Sequence, residues 1–352
     1  MGRHLGFCAA LLALAGPAWA GNLDPDLLHL CPPHSLQKGV LVGQAPECSW
    51  IKRGPAGQIE GLAIDVDGET RFRSLMSELG VALAPRLLVP AQTLGSAGFQ
   101  ISGELGTTSI SHDQPFWNGV AGVQPENPRS SRPGGWLTTV GLYVRKGLWV
   151  PLPAVEVGAG VVHLLDSQLL SWQGYAKLAF VEGYNDWPLP SLAVRGSGAY
   201  VTGSDQVRMK MASVDVILSK GFGVLKTFRL EPFAGWSFLF INARSGLVDF
   251  TPSCDAYLVR TAPMGQSLGD YCAESQRGSP NDSLANKAFA DQDTIRRHRF
   301  FGGAKLKFAA VFAALEYEIV PSGSSRDESK PNGARDTSGK QEGVSLSAGF
   351  DF

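Results

Sequence analysis

The sequence predicts an all-β protein, an antiparallel transmembrane β-barrel of about ten strands, or twelve at most, preceded by an N-terminal helical or irregular segment. Three observations favour this fold class. The chain ends in a regularly alternating strand, and two-residue periodicity runs through most of the preceding sequence. After the N-terminus, no apolar run is long enough for a membrane-spanning helix. A soluble β-sandwich is the competing fold, and it would need partner sheets over every apolar strand face.

Composition narrows the function classes. The net charge is −1, so the chain lacks the basic footprint of a nucleic-acid-binding protein, and no nucleic acid is expected as a partner. The 42 glycines, 18 phenylalanines and 8 tryptophans suit a barrel with tight turns and interfacial aromatic residues. They would also suit a soluble all-β protein, so composition alone does not decide.

Residues 1–20 have the pattern of a secretory signal peptide. Arg3 and His4 precede an apolar run that extends from Leu5 to about Leu14, and Ala18-Trp19-Ala20 forms an A-x-A cleavage site. The run is shorter than the roughly 20 residues that a membrane anchor needs. We expect cleavage near Ala20, a mature chain from Gly21, and export from the cytoplasm.

Four cysteines remain after the predicted signal peptide: Cys31, Cys48, Cys254 and Cys272. An even number in an exported chain predicts disulfides, and the local pairs Cys31–Cys48 and Cys254–Cys272 are the simplest of three connectivities. Metal binding is the competing interpretation, but it requires clustered ligands at short spacings, which the sequence lacks. We therefore expect no metal and no cofactor.

Residues 21–92 are predicted to lie outside the barrel wall, which residues 93–352 would form. Phe72, Leu75, Met76, Leu79 and Leu83 recur at helical spacing and predict an amphipathic helix that ends at Pro85. Such a helix would plug the lumen, lie on the periplasmic membrane face, or pack in a periplasmic subdomain. The run 65–69 weakly suggests a calcium loop, although a solvated acidic turn is the stronger interpretation.

Ten alternating segments predict the strands. They lie near residues 95–105, 135–145, 154–164, 169–181, 192–200, 207–219, 226–241, 297–308, 312–319 and 343–352. A change of parity in the sixth segment predicts a bulge near Ala212–Ser213. With the C-terminus in the periplasm, the long segments 108–133, 243–293 and 321–341 become extracellular loops. The turns near 149–153, 182–188, 220–225 and 309–311 become periplasmic, which is the asymmetry expected of such barrels.

The final segment carries the most specific pattern. Val344, Leu346, Ala348, Phe350 and Phe352 share one face of a strand, and small or polar residues occupy the other. In this the sequence resembles the outer-membrane β-barrel proteins of Gram-negative bacteria, whose final strand typically alternates and ends in an aromatic residue. The resemblance covers roughly residues 95–352. It implies a place in the cell outer membrane, contact with its lipid, and recognition of the last strand by the barrel-assembly machinery.

Charged residues of the predicted strands fall on the polar face, because a charge facing lipid would be costly. The predicted lumen-lining residues are Arg145, Glu156, Lys177, Arg195, Asp215, Arg229, Glu231, Lys305, Lys307, Glu316 and Glu318. Lys305 and Lys307 are expected to face Glu318 and Glu316 across a hairpin. The lumen would serve porin-like passive transport of small solutes or form a structural, salt-bridged core. Ten strands leave little free space, which favours the core.

Two other functions compete with these. The long loops predict a surface binding or adhesion protein. An outer-membrane enzyme would need a convergent catalytic set, and the best candidate is His163 with Asp166 and Ser171 nearby. No recognised nucleophile motif supports that set. We therefore predict that the chain is not an enzyme and has no catalytic residues.

Overall fold

The computed structural model describes residues 21–31, 49–53, 55, 59–124, 127–148, 154–182, 189–224, 227–249, 286–328 and 333–352. The predicted signal peptide, residues 1–20, lies outside them. Among the described residues, no helix is both long enough and apolar enough to cross a membrane.

Ten antiparallel strands form a closed barrel, as the sequence predicts. Each strand pairs with its neighbours in chain order, and the last strand pairs back with the first, for example at Leu346 opposite Leu105. The barrel strands are β3 (Phe99–Ser109), β4 (Trp136–Leu148), β5 (Val155–Leu164), β6 (Leu170–Val181), β7 (Ser191–Thr202), β8 (Val207–Ser219), β10 (Phe228–Ser245), β13 (Gln292–Phe308), β14 (Val311–Val320) and β15 (Gln341–Asp351).

The remaining elements are small, apart from one helix. Within the described residues, strands β1 (Ser49–Arg53) and β2 (Ile59–Ile64) pair with each other and not with the barrel, so the barrel has ten strands and not twelve. Short strands extend barrel hairpins: β9 (Phe222–Val224), β11 (Val248–Asp249) and β12 (Asn286–Lys287). The helices are α1 (Val66–Leu83) and the single turn α2 (Pro128–Ser131), with 3-10 turns at Leu27–Leu30 and Pro115–Asn118.

The connections differ in length at the two ends of the barrel. The long connections, which join β3 to β4, β10 to β13 and β14 to β15, leave and re-enter the barrel at one end, the long-loop end. The other end, the short-turn end, holds the two-residue turn Ala309–Ala310, the start of β3 and Phe352. Short turns at one end and long loops at the other are also the asymmetry found in outer-membrane barrels.

Burial alternates along the strands in the sense opposite to that of a soluble protein. In β15, Val344, Leu346 and Phe350 are exposed, whereas Ser345 and Ser347 are buried. The neighbouring Leu315 of β14 is 54% exposed. An apolar outer face over a polar interior is stable only if hydrocarbon covers the outside. The outer face of the barrel is therefore suited to contact with lipid.

Strand β8 is regular, and the predicted bulge near Ala212–Ser213 is wrong. Its registers with β7 and with β10 run without a shift. Met209 and Met211 point inward and belong to one buried cluster with Leu79 of α1, while Val214 faces outward. The parity of the apolar residues changes because the lumen wall is apolar where it meets the helix and polar below it.

The predicted charge pairing across the β13–β14 hairpin is also wrong. Lys305 lies opposite Ala314, and Lys307 lies opposite Phe312. The two-residue turn, with Ala309 in the left-handed region at φ 51°, displaces the glutamates from the lysines along the hairpin. Both lysines instead contact Asp351, at 2.8 Å from Lys305 Nζ and 3.2 Å from Lys307 Nζ.

Candidate functional site

Helix α1 begins where the sequence suggested a solvated acidic turn. The Asp65 carboxylate accepts a hydrogen bond from the Gly68 amide at 2.8 Å and caps the helix, so that prediction is wrong. Asp67 and Glu69 lie in the first turn, where the helix dipole favours negative charge. The helix ends at Leu83, with Ala84 as its C-cap before Pro85.

The helix lies inside the barrel. It contacts both β4 and β10, which stand on opposite sides of the wall, and most of its side chains are buried on every face. Its apolar side packs closely against β10. A Cβ placed on Gly80 would come within 2.6 Å of Ile241 Cδ1, so a glycine is needed there for the helix to approach the wall.

The polar side of α1 binds the loops at the long-loop end. Ser77 donates to Asp336 at 2.7 Å, and Arg73 donates to Gln292 and to Ser325 at 3.1 and 3.0 Å. The Glu78 carboxylate accepts bonds from the Trp117 indole and from the amides of Ser111 and Gly339, at 2.8, 2.9 and 3.0 Å. Burial raises the pKa of Glu78, and these three donors oppose that shift only in part.

Residues 84–98, here named the lumen segment, follow the helix down the barrel axis. In its upper part, Pro85 O accepts from Arg299 and Arg86 O accepts from Arg195, at 2.8 and 2.9 Å. The Leu88 amide donates to Glu316 at 2.8 Å. The partners belong to β7, β13 and β14, so different parts of the wall hold one short piece of backbone.

The lower part of the lumen segment is held in the same way. Pro90 O accepts from Lys177 Nζ at 3.1 Å, the Ala91 amide donates to Ser219 at 2.9 Å, and the Leu94 amide donates to Glu156 at 3.1 Å. Gly98 O then accepts from the Gly147 amide at 3.0 Å, at the short-turn end. Helix and lumen segment together therefore extend along the interior to the start of β3.

Most predicted lumen-lining charges are buried around this segment. Buried members of the set are Arg145, Glu156, Lys177, Arg195, Asp215, Glu231, Lys305, Glu316 and Glu318. Arg229 and Lys307 lie toward the short-turn end, with side chains 48% and 32% exposed. Salt bridges join Arg195 to Asp215 at 2.8 Å, Lys177 to Glu156 at 3.1 Å, and Arg299 to Glu318 at 3.4 Å.

The sequence analysis missed several of the interior polar residues. Arg297 and Arg299 have the same strand parity as Lys305, and that parity was sufficient to find them. Arg73, Glu78 and Arg86 lie outside the barrel strands, so strand alternation carried no signal for them. Their partners become visible only when the helix is placed inside the barrel.

Cavities occur at both ends of the barrel, and the one at the long-loop end opens beside the outward-facing Trp136. One of about 190 Å³ at the short-turn end is lined by residues that include Gln92, Lys305 and Asp351. Another, of about 540 Å³ at the long-loop end, is lined by residues that include Asn22, Arg132, Trp136 and Asp166. Between them, a space of about 10 Å³ beside Arg86 and Glu104 has room for roughly one water molecule.

Other candidate residues do not form a site. His163 faces outward from β5, whereas Ser171 faces inward and donates to Leu83 O at 3.0 Å, so the two do not form a catalytic pair. Asp166 instead accepts from the Asn22 side chain at 3.0 Å. Cys31 is buried, but Cys48, Cys254 and Cys272 lie outside the described residues, and the disulfide pairing stays a prediction.

A closed antiparallel barrel with an even number of strands, an apolar outer face and long loops at one end is now established. This is the outer-membrane β-barrel fold. The resemblance seen in the final strand is confirmed at this level.

Comparison with solved structures found similar folds at low sequence identity. No protein-family model and no curated protein match the sequence. The attachment invasion locus protein Ail of Yersinia pestis is 10% identical, with a TM-score of 0.24, over 73% of this chain and 99% of Ail. LpxR of Salmonella typhimurium is 11% identical, with a TM-score of 0.28, over 70% of this chain and 99% of LpxR. The outer membrane protease OmpT of Escherichia coli is 9% identical, with a TM-score of 0.29, over 72% and 95% of the two chains.

These comparisons correct the prediction that the chain is not an enzyme. That prediction was wrong, because the similar structures include a protease as well as an attachment protein. The barrel fold is thus shared by enzymes and by proteins of other functions. Function has to be argued from the interior and the surfaces of this chain.

Proposed function

We propose that this protein is an occluded outer-membrane barrel that acts at the cell surface by binding, and that it does not conduct solutes in its resting state. The filled lumen is the observation that carries the proposal. Helix α1 and the lumen segment occupy the interior, and side chains from β5, β6, β7, β8, β13 and β14 bind the lumen segment.

Opening the lumen would carry a large free-energy cost. If the lumen segment left, Arg195, Arg299 and Lys177 would lose backbone carbonyl partners inside the barrel. A buried polar group left without its partner costs about 1–3 kcal/mol, and a charged group more. Several such losses at once favour an occluded state over a porin-like channel.

The N-terminal residues support a role at the surface. The Leu23 amide donates to Asp166 O at 2.9 Å, the Asp26 amide to Gly119 O at 3.0 Å, and the Leu27 amide to Gln206 at 2.7 Å. These acceptors lie in three different connections, all at the long-loop end. Residues 21–31 therefore join those connections into one surface, here named the cap, and the lumen segment links it to β3 at the other end.

The cap also contains the best candidate for a binding site. The cavity of about 540 Å³ places the ring of Trp136, which is 55% exposed, beside Arg132 and Asp166. An aromatic surface with a few converging polar groups is typical of a site for a polar ligand. Export, cleavage near Ala20, and delivery by the barrel-assembly machinery through β15 belong to the same proposal.

Conductance in a planar bilayer tests the occlusion. The refolded full-length protein should show no steady conductance. A double variant, Arg195→Gln with Arg299→Gln, removes cationic donors to the lumen segment and should show intermittent openings. Arg244→Gln is the matched control, because Arg244 is exposed on the outer face and pairs with Asp291. Steady conductance of the unaltered protein would overturn the proposal in favour of passive transport.

A further inference from the structure

Four cations break the apolar pattern of the barrel's outer face. Arg208 and Lys210 of β8, Arg244 of β10 and Arg296 of β13 are all exposed and point outward. Their strands are neighbours in the wall, and all four residues lie toward the long-loop end. In the described barrel strands, the other outward-facing cation is Lys146, at the short-turn end. We name the four residues the basic patch.

Two of these cations face each other directly. Arg208 lies opposite Arg244 in the β8–β10 register, and Lys210 lies opposite Asn242 in the same ladder. Like charges directly opposite each other on one face of a sheet are destabilising. An anion bound between the two guanidinium groups would remove that repulsion.

The acidic groups near the patch neutralise it only in part. Arg244 pairs with Asp291 at 3.1 Å, and Arg296 lies 3.7 Å from Glu328, while Asp293 is exposed on the same edge of β13. Within the part of the chain that the structure describes, Arg208 and Lys210 take part in no salt bridge. Lys210 Nζ instead lies 6.0 Å from the centre of the Tyr200 ring.

Aromatic side chains mark the depth of the patch in the membrane. His298 stacks on Phe238 with ring centres 4.9 Å apart and on Trp236 at 5.8 Å, all on the outer face. Phe240, next to Phe238 on that face, lies opposite Arg296 in the register. Because aromatic girdles sit at the membrane interface, the basic patch stands at the level of the lipid headgroups.

We propose that the basic patch binds the phosphate groups of a phosphorylated lipid in the outer leaflet. Paired guanidinium groups match phosphate oxygens in geometry and charge. The aromatic and aliphatic outer surface beneath the patch suits the acyl chains of the same molecule. A lipid reaches this face laterally, and the proposal holds whether or not the lumen conducts solutes.

The test compares lipids and variants of the refolded full-length protein in lipid nanodiscs. Fluorescent diphosphorylated lipid A should bind more tightly than its dephosphorylated form. The double variant Arg208→Gln with Arg244→Gln should lower that affinity about tenfold or more, because each cation near an anionic headgroup contributes to binding. Lys146→Gln, an outward-facing cation at the other end, should leave the affinity unchanged.

Three outcomes would overturn the proposal. The first is equal binding of phosphorylated and dephosphorylated lipid, and the second is equal affinity of the double variant and the unaltered protein. The third is complete displacement of the lipid by inorganic phosphate, which would assign the patch to free phosphate. The variants change exposed outer residues, so retention of the folded barrel is checked by its heat-dependent mobility in detergent gels.

Discussion

Arg195 donates from Nε to the Oδ2 atom of Asp215 at 2.8 Å, and neither side chain is accessible to solvent. The same arginine donates to Arg86 O of the lumen segment, and Arg299 Nη2 lies 3.9 Å from Asp215. One carboxylate thus holds two arginines that in turn hold the occluding backbone.

Replacing that carboxylate should destabilise the barrel strongly. Asp215→Ala leaves Arg195 buried without its acid, and breaking a buried pair in this way costs about 3–5 kcal/mol. Urea unfolding of the refolded protein in detergent micelles measures the loss. Glu342→Ala is the control, since Glu342 forms an exposed pair with Lys340 that should contribute little to stability. Equal effects of the two substitutions would contradict the structural role of Asp215.

Gly80→Val should push helix α1 away from the barrel wall. The new side chain would collide with Ile241, and overpacking of this kind costs about 1–3 kcal/mol. We expect lower stability together with transient ion conductance in a planar bilayer. Gly103→Val is the control, because nothing lies within 4 Å of a Cβ at that position. If the Gly80→Val protein shows no ion conductance and unchanged stability, the helix does not need to approach the barrel wall this closely.

Glu78 should make stability depend on pH. Burial raises the pKa of Glu78 in the folded state above its ordinary value of 4.5, so the folded protein binds the proton more tightly than the unfolded chain does. The free energy of unfolding should therefore fall as pH rises from about 4.5 through the raised pKa. Unfolding measured over this range should show a smaller slope for Glu78→Gln. An unchanged slope would assign the pH dependence to other groups.

The region around the proposed mature N-terminus should be accessible from outside the cell. An epitope tag inserted at Asn22, which is exposed at the long-loop end, should bind antibody on intact cells. The same tag at Gly223, which is exposed at the short-turn end, should bind only after the outer membrane is permeabilised. The reverse pattern would mean that the barrel has the opposite orientation in the membrane. If antibody detects neither tag on intact cells, the residues near Asn22 are not at the cell surface, which contradicts the proposed cap.

Alternation was sufficient to predict the wall of the barrel from sequence. Segments such as 154–164 and 207–219 match β5 and β8 closely, since lipid and lumen impose opposite polarities on successive residues. The helix was predicted from Phe72, Leu75 and Leu79, whose spacing is local information. Both predictions depend only on residues near one another in the chain.

The interior required long-range information that no local pattern holds. The parity change in segment 207–219 was interpreted as a bulge, whereas Met209 and Met211 face a helix that comes from a distant part of the sequence. The predicted pairing of Lys305 and Lys307 with glutamates of β14 was wrong, because the register across a hairpin depends on the length of its turn.

The seam between β3 and β15 constrains how the molecule assembles. Gly103 pairs with Ala348, so the ring cannot close until the end of the chain is available. If the residues before Phe99 already lie within the ring when it closes, the charged side chains of the wall find their backbone partners during closure. An empty ring would be a different and less stable molecule, with its interior charges left without their backbone partners.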